Sequence, residues 1–437
     1  MGTWEVWNSN VFGTISKKRN DIIMKQPKVL VIGGGASGLT AAIAAARNGA
    51  QVLIIEQKDR LGKKILSTGN GRCNLTNEYM NPDCYRGEDT SIVSTVLDRF
   101  GVPETLSFFR SLGILTRSRN GYIYPLSDQA AAVLDVLRLE VEHLGIPVLL
   151  NMKVTEIKQT IQGFVVYTNQ KILDGNVVIM ATGGKAAPVL GSDGSGYQLA
   201  KAFGHSLTPI VPALVQLEGA GTYFKQLAGV RTEAAVTALI DGREAATDQG
   251  ELQLTDYGIS GIPVFQISRY AARGLYEKRN VEVRVDFLPT INHSDFFHLL
   301  KERIKQNNSK TSEELLIGIF HKKLAAFLLK QAQIKLQIKG SSLTDHQLYQ
   351  FTNLCKSYVV PISATKSFDQ AQICAGGVKT TEINPHTMES KLIQSLYITG
   401  ELMDIDGICG GYNLQWAWAT GYIAGESAAK GNYNAKN

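Results

Sequence analysis

Residues 29–56, VLVIGGGASGLTAAIAAARNGAQVLIIE, hold the parts of a βαβ dinucleotide-binding unit in the right order. The apolar run Val29–Ile32 leads into Gly33-x-Gly35-x-x-Gly38, an Ala-rich helix follows, and a second apolar run ends in Glu56. Each part has a physical reason. Gly33 allows the tight strand-to-helix turn, Gly35 lets a pyrophosphate approach the backbone, and Gly38 lets the helix pack on the sheet. The anion then meets free amide groups at the positive end of the helix. Glu56 follows Gly38 by eighteen positions, close to the spacing of about twenty for the acid that bonds a ribose hydroxyl. A carboxylate there disfavours a 2′-phosphate, which argues against NADP in this site. With 42 glycines in the chain a bare GxGxxG carries little weight; the complete strand, turn, helix, strand and acid carry much more.

The 437 residues exceed one ordinary domain, and 44% apolar with 19% charged residues describe a globular chain with ample core. No run approaches eighteen consecutive apolar residues, so no membrane span is expected. Residues 1–23 lack the apolar stretch and cleavage site of a signal peptide and are expected to be a poorly ordered leader, with Met24 an alternative start. Cys73, Cys84, Cys355, Cys374 and Cys409 never form CxxC, which excludes a zinc ribbon and a redox-active dithiol and suits a reducing cytoplasm. The seven histidines form no HxxxH or HExxH, so no metal is expected. The net charge of +6 comes from scattered lysines and arginines without aromatic interleaving, so nucleic acid is a disfavoured partner.

Helical patterns cover Val102–Leu112 and Asp128–Leu144, and the short runs of 147–180 read as an antiparallel meander with a turn at Asn169–Lys171. Past Gly196 short alternating segments suggest a small β-barrel, and 293–357 is mostly amphipathic helix. At Leu396–Gly400 the chain returns to a buried strand, followed by a glycine-rich loop and the apolar helix 413–429. The fold class expected is therefore α/β: a Rossmann domain in two pieces, 24–192 and 366–437, interrupted by a substrate-side insertion at 193–365. That insertion divides into a barrel at about 193–257 and a helical subdomain at about 258–357.

Three further segments choose between nicotinamide and flavin. Val177–Met180 is an apolar strand ending in Ala181-Thr182-Gly183, which resembles the second signature of two-dinucleotide-fold flavoproteins. Leu396–Thr399 ends in Gly400-Glu401, similar to the strand end whose acid meets the ribitol of FAD, with Glu in place of Asp. Gly411-Tyr412-Asn413-Leu414 opens the last helix, whose amides can face the flavin pyrimidine edge, where charge accumulates on reduction. Together the segments point to FAD.

LGKKILSTGNGRCN at 61–74, the segments 250–261 and 376–390, and the closing GELMDIDGICGGYNLQWAWATG resemble the BaiN-like family of FAD-dependent oxidoreductases, over about residues 27–430. The resemblance implies a glutathione-reductase-like FAD domain carrying a barrel and helices. It also implies hydride transfer at flavin N5. The reaction is then either reduction of an activated C=C bond by reduced nicotinamide or oxidation of a small amine, such as aminoacetone, with oxygen as acceptor. NADH or NADPH would visit only transiently, because a second βαβ is missing. An RNA-associated flavoprotein of the tRNA-modifying type and a non-catalytic flavin-binding module are the alternatives.

The cofactor ligands expected are Gly33, Gly35, Ala36, Ser37, Gly38, Glu56 and Gln57; Lys64, Gly71, Arg72, Cys73 and Asn74; Val154, Ala181, Thr182 and Gly183; Gly400 and Glu401; and Gly411, Tyr412, Asn413 and Leu414. Arg72, Asn74 and Tyr412 are the substrate-side candidates, with the catalytic acid or base unassigned.

Overall fold

The computed structural model describes residues 26–431. The leader and the choice between Met1 and Met24 lie outside them. Lys28–Ile32 is apolar on both faces and buried, as a central parallel strand must be. It sits in the middle of a five-stranded parallel sheet ordered Leu396–Ile398, Val177–Met180, Lys28–Ile32, Gln51–Ile55, Val148–Leu149. The strand from near the C-terminus thus pairs with one from the N-terminal half, and the Rossmann unit is assembled from both ends of the chain. An antiparallel meander, Val154–Thr160, Gly163–Thr168 and Ile172–Gly175, forms its own three-stranded sheet.

Two helices pack on the parallel sheet in close contact with each other: Ala36–Arg47 and the nineteen-residue Tyr412–Lys430. A Cβ placed on Gly421 would stand 2.3 Å from the Ser37 carbonyl oxygen, and one on Gly425 would stand 2.2 Å from that of Ala41. Only glycine permits this approach, and it brings the N-terminal ends of both helices to one side of the sheet.

The middle of the chain closes a six-stranded barrel from Leu217–Gly219, Gly258–Ser260, Arg243–Leu254, Val230–Ile240, Val281–Asp286 and Tyr358–Thr365. This corrects the expected barrel at 193–257: three of its strands lie beyond residue 257. The alternating burial of VEVRVD shows why it belongs to the barrel, with one face inward and the other outward. Helices His293–Gln306, Lys322–Gln331 and Asp345–Lys356 fall between the last two strands, so the helical segment is a loop of the barrel and not its successor. The helix Ile262–Tyr276 lies against the barrel strands and reaches toward the Rossmann unit.

Among the described residues, no helix is long and apolar enough to cross a membrane, and no three His, Cys, Asp or Glu side chains gather as a metal site would require.

Candidate functional site

A cavity of about 680 Å³ opens along the C-terminal ends of the parallel strands and runs to the helix Ile262–Tyr276 beside the barrel. That is where ligands bind in open α/β sheets. At its sheet end the first unit behaves as the motif requires. The Gly33 amide donates to the Ile55 carbonyl at 2.8 Å, and a Cβ on Gly33 would strike the Ala181 oxygen at 2.4 Å. A Cβ on Gly38 would stand 1.9 Å from the Gly33 oxygen, so this glycine serves packing and faces away from the cavity. Gly35 borders open space, the room an approaching pyrophosphate needs. No side chain caps the helix that starts at Ala36, so its first-turn amides have no intrahelical acceptor.

Glu56 lines the cavity, nearly buried, and its carboxylate accepts from the Gly34 amide at 2.7 Å and the Lys58 amide at 2.8 Å. Burial pushes this carboxyl above its ordinary value, against the pull of those amides and of Lys58. Farther along, Lys64 donates to Glu401 at 2.8 Å, joining two residues that lie 337 positions apart and belong to separate motifs. Gln57 donates to the Gly191 carbonyl. Asn413 is held by Gly407 in a two-way amide bridge, 2.8 Å each way, so its backbone and not its side chain is available to a ligand.

Three buried oxygens on this cavity have no protein partner: Asn74 Oδ1, Thr182 Oγ1 and Glu401 Oε1. An unsatisfied buried polar atom costs about 1–3 kcal/mol, which a hydroxyl- and amide-rich ligand relieves. Together with the open cradle at Gly35 and two helix N-termini, these atoms fit FAD laid from Glu56 past Thr182 and Glu401 to Gly411. FAD supplies the hydride chemistry when bound; the residues named here would hold its ribose, pyrophosphate, ribitol and ring edge.

Of the expected ligands, Gly33, Gly35, Ala36, Ser37, Glu56, Gln57, Lys64, Asn74, Val154, Ala181, Thr182, Gly183, Glu401, Gly411, Asn413 and Leu414 line this one cavity. Gly38, Gly71, Arg72, Cys73, Gly400 and Tyr412 do not. The loop after Thr68 passes through left-handed backbone at Gly69, Asn70, Gly71 and Cys73, which turns Arg72 out to solvent and Cys73 into the core. Burial pushes the Cys73 thiol up to about 12, so it supplies no thiolate. Tyr412 is buried and donates to the Tyr79 carbonyl at 2.9 Å, which withdraws it from the substrate side.

Sequence reasoning misses the far wall of the cavity: Leu214, Ile262, Phe265, Ile373, Tyr122 and Tyr124. A signal exists for the tyrosines. Asn120-Gly121, both at positive φ, joins Thr116–Arg119 to Tyr122–Pro125 as a two-residue hairpin, and the alternation of Tyr-Ile-Tyr puts both tyrosines on one face.

The parallel sheet, the glycine turn and the two-helix cradle define a Rossmann-type FAD-binding protein. The chain belongs to the HI0933-like family: the description "HI0933-like protein Rossmann domain" matches residues 27–427. It is 51% identical to the 3-dehydro-bile acid delta(4,6)-reductase of Clostridium scindens, over 92% of this chain and 99% of that one. It is 29% identical to the ribosomal RNA dihydrouridine synthase of Escherichia coli, over 92% of this chain and 98% of the relative. Among solved structures, the open conformation of a flavocytochrome c3 fumarate reductase superposes with a TM-score of 0.49 at 16% identity, covering 92% of this chain and 78% of that one. The protein is an FAD-dependent oxidoreductase.

Proposed function

We propose that this enzyme reduces a C=C bond conjugated to a carbonyl in an apolar small molecule of the oxo-steroid acid class, with reduced nicotinamide as the electron source. The observation that carries this reading is the 51% identity, end to end, with a chain named for delta(4,6) reduction of a 3-dehydro-bile acid. The wall of Leu214, Ile262, Phe265 and Ile373 supports it, since a flat hydrocarbon gains about 25 cal/mol for each Å² it buries there. None of the relatives named above carries an amine-oxidising name, and amine oxidation is not carried forward.

The cofactor ligands proposed are the sixteen cavity-lining residues given above, and Asn74 is retained on the substrate side. The division into 24–192, 193–365 and 366–437, with a glutathione-reductase-like FAD unit, is supported by the sheet order and by the meander. Ribosomal RNA is a second reading, favoured by the 29% identical relative; dihydrouridine formation too is reduction of a C=C bond conjugated to a carbonyl.

The test is anaerobic. The flavin is bleached with NADH or NADPH and then mixed with a 3-oxo-4-ene steroid acid, a 3-oxo-4,6-diene steroid acid, or ribosomal RNA. Rapid return of the flavin band with a product two mass units heavier for the steroid supports the first reading. Reoxidation by RNA alone supports the second. A flavin that no enone reoxidises faster than buffer overturns both.

A further inference from the structure

Reducing a conjugated C=C bond needs a proton donor as well as a hydride, and most acids on the cavity are committed elsewhere. Glu56 is bound by two amides and Glu401 by Lys64. Tyr122 is different. The hairpin turns its ring onto the loop that leads into the last helix, where a Cβ on Gly410 would stand 2.8 Å from Tyr122 Cε1. Its hydroxyl has no hydrogen-bond partner among the described residues. Tyr124, two positions on, leans instead toward the 65–71 loop, where a Cβ on Gly69 would lie 3.6 Å from its Cε1.

Asp248, half-buried on the barrel strand Arg243–Leu254, adds a negative field at both Tyr122 and Cys409. Burial, then Cys409, Tyr124 and Asp248, push the Tyr122 phenol above its ordinary range, so it keeps its proton at neutral pH. Burial likewise raises the Asp248 carboxyl. The Cys409 thiol is pushed up to about 12, chiefly by burial. Burial and then Cys84 push the Tyr412 phenol up, with Tyr122 adding to the rise.

We propose that Tyr122 is the catalytic proton donor of the reduction. The inference rests on the C=C reductase reading above. The substrate receives a hydride from the reduced flavin at the carbon remote from the carbonyl, and the π bond breaks with its electron pair delocalised toward the carbonyl oxygen. The Tyr122 O–H bond then breaks as a C–H bond forms on the conjugated carbon of the former double bond. The phenolate then regains a proton from solvent water. The substrate gains two electrons and the flavin loses two, which reduced nicotinamide replaces.

The test uses the FAD-loaded full chain with Y122F. Y122F should slow flavin reoxidation by an enone about 100-fold more than it slows reduction by nicotinamide, the range expected for loss of a general acid. In D2O the wild-type product should carry deuterium on one face of the protonated carbon, and the Y122F product on both. A readout independent of turnover is the near-ultraviolet titration of tyrosinate in the FAD-free protein. Y122F should abolish one high-pH tyrosinate step. Wild-type reoxidation by enones with Y122F equally fast and equally stereospecific overturns the assignment alone. A wild-type enzyme that no enone reoxidises overturns the functional reading, and the assignment with it.

Discussion

At the scale of single residues the site separates atoms held for a ligand from atoms already used. Glu56 illustrates a mixed case: its carboxylate ties down the Gly34 and Lys58 amides and still faces the cavity. Replacing it (E56A) orphans two amides and would remove the proposed ribose contact, each loss being worth about 1–3 kcal/mol. FAD affinity should fall roughly 10- to 100-fold, read by quenching of FAD fluorescence on titration; an unchanged dissociation constant would remove Glu56 from the cofactor site. A second cluster has the look of a hydrolytic triad, with His205 Nδ1 2.8 Å from Glu382 and Nε2 2.9 Å from Ser390 Oγ. The Ser390 oxygen already accepts from the Leu392 and Ile393 amides, His205 is buried, and none of the three lines the cavity. That trio fastens the strand return near Leu396.

Among the elements, the contact between Ala36–Arg47 and Tyr412–Lys430 matters most, because these two helices present their N-termini to the cavity. Glycine inside a helix ordinarily costs about 1 kcal/mol relative to alanine. At Gly425 the sign reverses: an added methyl meets the Ala41 carbonyl oxygen at 2.2 Å, and overpacking of this kind costs about 1–3 kcal/mol. G425A is therefore expected to lower the thermal midpoint and weaken FAD binding together, measured by differential scanning fluorimetry with and without added FAD. A midpoint raised by the alanine would mean that the helices are free to part without consequence.

Across the whole molecule, barrel and Rossmann unit are joined at the lip of the cavity. Arg269, on the helix Ile262–Tyr276, meets Asp406 at 2.9 and 3.0 Å, and on the same helix Gln266 accepts from the Cys409 amide at 2.9 Å. The helix also carries Ile262 and Phe265 of the cavity wall, so this junction fixes that wall relative to the Rossmann unit. Burial lifts the Asp406 carboxyl to about 6 against the pull of Arg269, with Asp404 adding to the rise. An acid whose folded value lies above its ordinary 3.8 favours folding at low pH and loses that contribution as pH rises through about 6. R269M removes the compensating cation, and breaking a buried pair costs about 3–5 kcal/mol. The deficit should be full near pH 8 and smaller near pH 5, where Asp406 takes up a proton; thermal melts of wild type and variant at both values check this, and a deficit independent of pH would exclude an ionised Asp406 as its cause.

The sequence alone determined the Rossmann unit and its cofactor. A buried parallel strand, a glycine turn and an amphipathic helix are short-range patterns, and the requirement for small residues beside a pyrophosphate writes itself directly into Gly33-x-Gly35-x-x-Gly38 and Ala181-Thr182-Gly183. The barrel was only half legible, because Val281–Asp286 and Tyr358–Thr365 close it across 71 residues of intervening helix and loop, and strand pairing at that range leaves no local mark. Only the tertiary structure decided which loop residues face the ligand. A few left-handed backbone angles send Arg72 outward and Cys73 inward, while a two-residue turn at Asn120-Gly121 carries Tyr122 to Gly410, and those directions depend on packing partners from four distant parts of the chain.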